Sequence, residues 1–320
     1  MIGPASGESI EAARRRLRGF AVRTPLVPLE IAERAQPVSL KLETLQPVGS
    51  FKIRGAGSAI TAAPRERLSK GVYTASAGNM AQGVAWCARA LGVPCTVIVP
   101  DHAPAAKISA VERLGAAIIR VPLARWWQVL VERSYPGQDG LFVHPVSDPE
   151  VMAGNATIAS EILEDAPDTD TVLVPFGGGG LACGIASGLR ARGSSARVIA
   201  CEVETAAPFA ASLRAGHPCT VDRTASFVDG IGIGSLLEEM WPLASTMLGG
   251  SVVSSVASIA AAVRFMAERA HVIAEGAGAA SLAAAMSGTV AGGHIVCIVS
   301  GGSINLAALA TILQGGVPSV

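Results

Sequence analysis

Residues 41–56 read Lys41-Leu-Glu-Thr-Leu-Gln-Pro-Val-Gly-Ser-Phe-Lys52-Ile-Arg-Gly-Ala56, and this stretch decides the fold. Its apolar alternation predicts a strand that the Pro-Val-Gly segment ends, and Ser50 is expected to cap a helix that opens with Phe51 and Lys52. At a helix start, the partial positive charge of the terminus and burial both lower the pKa of a lysine amine. Such a lysine is a nucleophile that can form a Schiff base with an aldehyde. The stretch alone also allows a plainer interpretation, a surface lysine with a solvated tip.

The composition favours a large α/β protein and disfavours two classes of partner. The chain has 320 residues, enough for two domains or one large α/β unit. Lysine plus arginine equals aspartate plus glutamate, 25 each, so we expect neither nucleic acid nor an anionic membrane as a partner. Half of the residues are hydrophobic but only 4% are aromatic, while glycine reaches 36. The core is therefore expected to consist mainly of Ala, Val, Leu and Ile around glycine-rich turns.

The cysteines and histidines predict a reduced protein without a metal centre. No CxxC or CxxH spacing occurs, and most cysteines lie in apolar runs, which is typical of buried thiols in the cytoplasm. The histidines share no metal-binding spacing, and each is expected to be structural or on the surface. The N-terminus has no hydrophobic signal core, so we expect a soluble, cytoplasmic protein. The residues concerned are Cys87, Cys95, Cys183, Cys201, Cys219 and Cys297, and His102, His144, His217, His271 and His294.

From residue 38 onward, apolar strands alternate with helical patterns, which predicts a mainly parallel sheet with helices on both faces. The predicted strands are 40–43, 72–75, 96–100, 118–121, 172–175, 198–202 and 295–299. The predicted helices include 8–18, 80–91, 105–114, 151–163, 181–192 and 259–269. A turn-rich segment at 145–149 marks a possible division between two series of strands and helices.

A second motif is the run of four glycines from Gly177 to Gly180, between an apolar strand and a helical pattern. Bare backbone N–H groups at a helix N-terminus predict an anion site, and the lack of a following lysine excludes the usual nucleoside-triphosphate loop. A nicotinamide-dependent oxidoreductase is an alternative from another class. Gly178, Gly180 and Gly184 form a stretched dinucleotide fingerprint, with Glu202 about 20 residues further on.

Two further polar loops follow predicted strands. In Ser76-Ala77-Gly78-Asn79, small residues and exposed amides suit a substrate carboxylate, and the asparagine could donate to a phenolic oxygen, although an ordinary helix start has a similar sequence. The other loop, Ser300-Gly301-Gly302-Ser303, follows the last strong strand. Ligands of open α/β sheets bind beyond the carboxyl ends of strands. All four motifs fall at such ends, so we expect them to form one site.

Together these motifs resemble the fold-type-II pyridoxal phosphate enzymes, and among them the threonine/serine dehydratase and serine racemase group. The resemblance rests on Gly49-Ser-Phe-Lys-Ile-Arg-Gly-Ala56, on residues 76–83, on the glycine run and on the Ser300 loop, in the family's order. It implies an α/β fold with two open, mainly parallel sheets, similar to the tryptophan synthase β subunit. It also implies a small domain, residues 44–146, inserted in a large domain, residues 1–43 and 147–320. Pyridoxal 5′-phosphate would bind in the cleft between them.

The resemblance implies a role for each matching position. Lys52 would hold the cofactor covalently and serve as the catalytic base, with Phe51 beside the cofactor ring. Asn79 would bond the cofactor's 3′-oxygen, and Ser300 would face its pyridine nitrogen, with Glu275 nearby. The cofactor phosphate would be bound by Gly177, Gly178, Gly179 and Gly180, and the substrate carboxylate by Ser76, Ala77, Gly78 and Asn79.

Several positions depart from the family's pattern. Met80 stands where the family commonly has histidine, and Val146 replaces an aromatic residue after a His-Pro pair. The run Gly154-Asn155-Ala156-Thr157 replaces a Gly-Gln-Gly-Thr run, and Ser303 replaces an asparagine. None of these belongs to the residues expected to hold the cofactor. The departures therefore put the preferred amino acid in doubt and leave the cofactor prediction intact.

The activity that the resemblance implies is elimination of water from a β-hydroxy amino acid, as in threonine or serine dehydratases. An amino acid racemase is the alternative within the family. Racemases of this kind carry a serine hydroxyl where this chain has Ala77, which disfavours racemisation. A non-catalytic small-molecule binding protein is a further alternative. We expect a small amino acid as substrate, a homodimer, and no appended regulatory domain, since about 15 residues follow Asn305.

Overall fold

A computed structural model describes residues 2–32 and 34–319 of the chain. Within these residues, ten strands form two sheets, accompanied by thirteen α-helices and by 3-10 helices at Glu43–Leu45 and Glu238–Met240. The strands are β1 (Leu26–Leu29), β2 (Val38–Leu42), β3 (Val72–Ala75), β4 (Cys95–Pro100), β5 (Ala117–Val121), β6 (Leu141–Phe142), β7 (Thr169–Pro175), β8 (Arg197–Val203), β9 (Ser251–Ser254) and β10 (His294–Val299). The α-helices are α1 (Gly7–Arg16), α2 (Lys52–Ala62), α3 (Arg65–Leu68), α4 (Asn79–Leu91), α5 (Ala105–Glu112), α6 (Leu123–Glu132), α7 (Pro149–Asp165), α8 (Gly180–Ala191), α9 (Pro208–Ala215), α10 (Trp241–Met247), α11 (Val256–Arg269), α12 (Gly276–Met286) and α13 (Leu306–Leu313).

The larger sheet has six strands in the order β1-β2-β10-β7-β8-β9. Only the β1–β2 pair is antiparallel; the other four pairs are parallel. Alternate residues of β10 face different apolar clusters: Ile295, Cys297 and Val299 pack into one, and Val296 and Ile298 into the other. Strand β10 is thus covered on both faces, which explains its nearly continuous apolar sequence.

The smaller sheet has four parallel strands in the order β5-β4-β3-β6, all from one continuous part of the chain. It is also covered on both faces, because Val97 and Val99 of β4 pack into one apolar cluster and Ile98 packs into another. The predicted α/β class with mainly parallel sheets is confirmed.

The predicted elements are present, with ends shifted by up to three residues. All seven predicted strands and all six predicted helices occur in the structure. The prediction missed β1, β6 and β9, which are all edge strands. Edge strands of this protein are short and only partly buried, so they lack the long apolar run that marked the central strands.

The prediction was wrong about how α2 begins. Phe51, rather than Ser50, occupies the N-cap position, and no side chain caps the helix. Ser50 forms an isolated β-bridge with Gly301, and its buried hydroxyl has no partner in the described part of the chain. The Phe51 N–H donates to the Ser300 carbonyl at 3.0 Å. Pairing with the loop that follows β10 therefore overrides the local capping preference.

Four charged side chains form a buried network beneath α2. Arg54 Nε donates to Glu43 at 2.8 Å, and Arg54 Nη1 donates to Glu161 at 2.6 Å. Lys41 Nζ also donates to Glu161, at 2.6 Å. Helix α7, which carries Glu161, approaches α2 so closely that a Cβ at Gly154 would lie only 2.2 Å from the Arg54 carbonyl oxygen. The network fixes α2 against β2 and α7, and buried charges of this kind need every partner.

Candidate active site

The structure brings all four predicted motifs together. Strands β2, β7 and β10 of the larger sheet precede the Lys52 segment, the glycine run and the Ser300 loop, and β3 of the smaller sheet precedes the Asn79 loop. The Gly302 N–H donates to the Gly49 carbonyl at 2.9 Å, which joins the Ser300 loop to the Lys52 segment. The site therefore spans the carboxyl edges of both sheets.

Lys52 is the first residue of α2, and protein surrounds its amine although part of the residue stays exposed. Its Nζ donates to the Pro145 carbonyl at 3.0 Å and lies 5.0 Å from the centre of the Phe51 ring. Burial lowers the pKa of Lys52 from 10.5 to about 8, against the opposing charge of Glu275. A substantial fraction of the amine is therefore neutral near physiological pH, as a nucleophile or base requires.

Asn79 and Glu275 form the second part of the site. Asn79 begins α4, and its Nδ2 donates to Glu275 Oε1 at 2.8 Å. A Cβ at Gly301 would lie 2.5 Å from that oxygen and 3.1 Å from Asn79 Nδ2, so the contact requires glycine there. Burial and the charge of Asp229 raise the pKa of Glu275 from 4.5 to about 7, opposed by the Asn79 hydrogen bond and by Lys107. Glu275 thus orients the amide and titrates near neutrality.

The third residue of the glycine run, Gly179, is left-handed with φ +90° and caps the N-terminus of α8. A Cβ at Gly178 would lie 2.6 Å from a Val146 methyl group, and one at Gly180 would lie 2.7 Å from the Val146 carbonyl oxygen. No residue among 2–32 and 34–319 accepts a hydrogen bond from the N–H groups of Gly177–Gly180. Free N–H groups at a helix N-terminus form an anion site.

The Asn79 loop is held by its own serine. Ser76 Oγ accepts the Gly78 N–H at 3.2 Å, and nothing lies within 4 Å of the position that a Cβ at Gly78 would take. Ala77 packs against the apolar cluster of the smaller sheet. The loop therefore leaves open space at the N-terminus of α4 but presents no free hydroxyl at position 77.

Two of the departures from the family pattern lie on helices that pack against α2, Met80 on α4 and Asn155 on α7. Met80 is 1% exposed and belongs to the apolar cluster of the smaller sheet. Asn155 is buried in α7, and its Nδ2 supports the glycine run by donating to the Gly180 carbonyl at 3.2 Å. Val146 differs, because its backbone and side chain both contact the glycine run.

Sequence reasoning missed three partners of the site. Pro145 contributes only its carbonyl oxygen, and the residue type does not reveal that role. Lys107 and Asp229 form an ion pair between α5 and the loop that precedes Glu238, and both act on Glu275. The His-Pro segment at 144–145 was the only available signal, and it was interpreted as a turn.

The dinucleotide alternative loses its main support. Glu202 was its ribose-binding candidate, but this buried carboxylate accepts the N–H groups of Phe209 at 2.9 Å and Ala210 at 2.8 Å, and the hydroxyl of Ser251 at 2.6 Å. It stabilises the start of α9 and has no role at the glycine run. Within the described residues, no group of three or more His, Cys, Asp or Glu side chains is placed to hold a metal ion.

Comparisons with known proteins agree with this geometry. A sequence model of the family described as "Pyridoxal-phosphate dependent enzyme" matches residues 17–301. An L-threonine ammonia-lyase of Geobacter sulfurreducens is 38% identical over 315 residues, which cover 96% of this chain and 78% of that protein. The structure of maize serine racemase is similar with a TM-score of 0.90, 32% identity and 98% of each chain covered. The processed form of threonine deaminase isoform 2 from Solanum lycopersicum has a TM-score of 0.85 and 28% identity, covering 98% of this chain and 90% of that one.

Proposed function

Because the chain belongs to the family of pyridoxal-phosphate dependent enzymes, we propose that it removes water from a β-hydroxy amino acid such as L-threonine or L-serine, releasing a 2-oxo acid and ammonia. The observation that carries this proposal is that one site combines two features. These are the Lys52 amine, whose pKa is lowered to about 8, and a glycine run whose free N–H groups can bind an anion. The similarity to an L-threonine ammonia-lyase over nearly the whole chain supports the same reaction class.

The residues present fit pyridoxal 5′-phosphate, the cofactor of this family. Lys52 would hold its aldehyde carbon, and Phe51 would pack beside its ring. The free N–H groups of Gly177–Gly180 would bind its phosphate at the positive end of α8. The second N–H of the Asn79 amide would donate to its 3′-oxygen, and the Ser300 hydroxyl would face its pyridine nitrogen. When bound, the cofactor supplies an electron sink for the negative charge that develops at the substrate α-carbon.

The chain's own groups would supply binding and proton transfer. The N-terminal turn of α4, with residues 76–79, would receive the substrate carboxylate on its backbone N–H groups. Lys52 Nζ, held at 3.0 Å from the Pro145 carbonyl, would accept the proton from the substrate α-carbon. Glu275 would keep the Asn79 amide aimed through their 2.8 Å hydrogen bond.

Racemisation is the second candidate, since the maize serine racemase structure resembles this chain closely. Inverting the α-carbon requires a proton donor on the face opposite Lys52. Ala77 has no hydroxyl, and the neighbouring Ser76 oxygen accepts the Gly78 N–H at 3.2 Å, which holds that side chain against its own loop. A positioned acid contributes about 10²- to 10⁴-fold to a rate, so we propose that racemisation is slow compared with elimination.

The decisive experiment incubates the protein with L-serine and with L-threonine and follows 2-oxo acid, ammonia and D-amino acid together. The proposal requires 2-oxo acid and ammonia as the main products, and loss of both in Lys52→Ala. Ala77→Ser should raise the D-amino acid share, whereas the matched control Ala77→Gly, which adds no hydroxyl, should not. Predominant D-amino acid from the unmodified protein would overturn the dehydratase assignment.

We further propose the domain division and oligomeric state expected from the sequence. Residues 44–146 would form the small domain and residues 1–43 with 147–320 the large one, which is supported by the presence of all four strands of the smaller sheet within 44–146. A homodimer is supported by exposed apolar side chains on α13, where Leu306 is 80% exposed and Leu313 42%. Light scattering after size-exclusion chromatography should give about twice the mass of the chain.

A cytoplasmic location is also a proposal. All six cysteines are free, and five of them are buried, as suits a compartment that keeps thiols reduced. Burial raises the pKa of most of these thiols to about 12, which makes them unreactive. Nowhere in the described residues is a helix long and apolar enough to cross a membrane.

A further inference from the structure

The turn at residues 144–147, called the positioning turn below, contacts the lysine and the glycine run at once. Its Pro145 carbonyl accepts the hydrogen bond from Lys52 Nζ at 3.0 Å. Its Val146 lies so close to Gly178 and Gly180 that a Cβ on either glycine would come within 2.7 Å of it. The shape of this turn is therefore transmitted to both parts of the proposed cofactor site.

A buried histidine holds the positioning turn from inside. His144 Nδ1 accepts the N–H groups of Val146 at 3.0 Å and Ser147 at 2.9 Å. An atom that accepts twice carries no proton, so the ring is the neutral form with its proton on Nε2. The ring is 1% exposed, and burial lowers the pKa of His144 to about 4, with Arg133 and Lys52 acting in the same direction and Glu239 against them. His144 is thus a permanent acceptor for the turn.

A second set of contacts holds the turn from outside. The buried Ser147 Oγ accepts Arg133 Nη2 at 2.7 Å and donates to Glu239, and Arg133 Nη2 donates to Glu239 at 2.8 Å. Arg133 has φ +55°, a left-handed conformation that is uncommon outside glycine. It follows α6, which packs on the smaller sheet, whereas Glu239 belongs to the 3-10 helix before α10. A helix that packs on the smaller sheet and a 3-10 helix that packs on the larger sheet therefore meet at Ser147.

We propose that the positioning turn holds the Lys52 amine in place and shields it from water, and that His144 and Ser147 are positioning residues for the reaction. The proposal rests on the proposed role of Lys52. The titratable groups that face Lys52 are Glu275 at the start of α12 and His144 in the turn. His144 is neutral, so loosening the turn changes Lys52 mainly through hydration. Because burial is the largest cause of its lowered pKa, hydration should raise that pKa toward 10.5.

The test compares two substitutions of similar size, one that retains a hydrogen-bond acceptor beside the turn and one that removes it. In His144→Asn, Oδ1 takes the place of Nδ1 and can accept the same two N–H groups, as asparagine does in turns. In His144→Leu, a methyl group takes that place and leaves both N–H groups buried without an acceptor. The full-length protein, stripped of cofactor, is labelled with acetic anhydride between pH 6 and 11. Mass spectrometry then quantifies the Lys52 peptide against the exposed Lys70 as internal reference.

We expect His144→Leu to raise the pKa of Lys52 by about one unit, which slows its labelling about ten-fold at pH 7, and His144→Asn to keep the original profile. A merely structural role would lower the melting temperature of the leucine variant without moving the Lys52 profile, and that result overturns the proposal. Equal shifts in both variants overturn it as well. The labelling needs neither substrate nor cofactor, so its failure is distinguishable from a failure to produce 2-oxo acid.

Ser147→Ala provides a second test if His144→Leu does not fold. It removes the hydroxyl at which Arg133 and Glu239 meet, and the Lys52 profile should shift in the same direction by about half a unit. Glu239→Ala should act more weakly, because its carboxylate is 43% exposed. The neighbouring exposed Glu238→Ala is the matched control and should leave the profile unchanged. No shift in Ser147→Ala, or an equal shift in Glu238→Ala, would contradict the proposal.

Discussion

Replacing Gly178 by alanine tests how the glycine run is packed. The added methyl group would come within 2.6 and 2.7 Å of the two methyl groups of Val146, well inside van der Waals contact. At Gly180 the corresponding clash is with the Val146 backbone, at 2.7 Å from its carbonyl oxygen and 3.2 Å from its Cα. Val146→Ala removes the first obstacle and leaves the second one in place.

The magnitudes follow from the type of contact. Overpacking of this kind costs about 1–3 kcal/mol, so Gly178→Ala and Gly180→Ala should each destabilise the protein by that amount. Val146 is only partly buried, and its truncation to alanine should cost about 1 kcal/mol. In the double variant Gly178→Ala/Val146→Ala, the new methyl group occupies the space left by the valine. The two changes should therefore be less harmful together than their sum, by about 1–2 kcal/mol.

The assay measures the melting temperature and the affinity for pyridoxal phosphate by absorbance titration. We expect the clash to displace the N–H groups of the glycine run and to cost about 1.4 kcal/mol in binding, which corresponds to a ten-fold weaker affinity. The double variant should recover most of this loss. Gly180→Ala/Val146→Ala should show no recovery. Equal rescue of both glycine variants, or none for Gly178→Ala, would refute the packing argument.

Further predictions concern charges in and beneath the site. Between pH 4.5 and about 7 the folded chain binds a proton at Glu275 that the unfolded chain has lost, so this group makes the protein less stable as pH rises through that window. Asp229→Asn should lower the pKa of Glu275 and flatten this decline in melting temperature, and Lys107→Gln should steepen it; identical slopes would contradict the assignment. Arg54→Met leaves the buried Glu43 without its cationic partner and leaves Glu161 with Lys41 alone. It should cost about 3–5 kcal/mol in denaturant unfolding, whereas a loss below about 1 kcal/mol would show that the network does not matter. Ser300→Asp would hold the pyridine nitrogen protonated, which a hydroxyl cannot do. The ring would then retain the charge that otherwise expels the leaving group, so the rate of 2-oxo acid formation should fall; unchanged turnover would argue against the role of Ser300.

The fold was predictable from sequence where both faces of a strand are covered. Strands β7, β8 and β10 are buried along nearly their whole length and each contains an apolar run, and each was predicted. The first strand, Leu26–Leu29, contains Pro28 and pairs on one side only, and it was missed. The start of α2 was mispredicted because a tertiary bridge to Gly301 outweighs the capping preference of Ser50.

For the candidate site, the sequence was sufficient to select the main residues but not to identify their hydrogen-bond partners. Lys52, Asn79 and the glycine run follow strands and have compositions that signal chemistry, so residue type and position were sufficient to select them. The hydrogen bond between Asn79 and Glu275 joins residues 196 positions apart, and no periodicity pairs them. The acceptor for Lys52 is the carbonyl of Pro145, which every residue possesses. Backbone partners of this kind appear only when the chain is folded.

The most direct test of the central claim is reduction of the purified protein with borohydride, followed by mass spectrometry of its peptides. The chain has four lysines, Lys41, Lys52, Lys70 and Lys107. Lys41 is fully buried against Glu161, whereas Lys52 has a buried amine in a residue that stays partly exposed, which singles out Lys52. We predict a protein with a visible absorbance band that borohydride abolishes, and a pyridoxyl phosphate adduct on the peptide that contains Lys52. An adduct on Lys41, Lys70 or Lys107 instead would contradict the account.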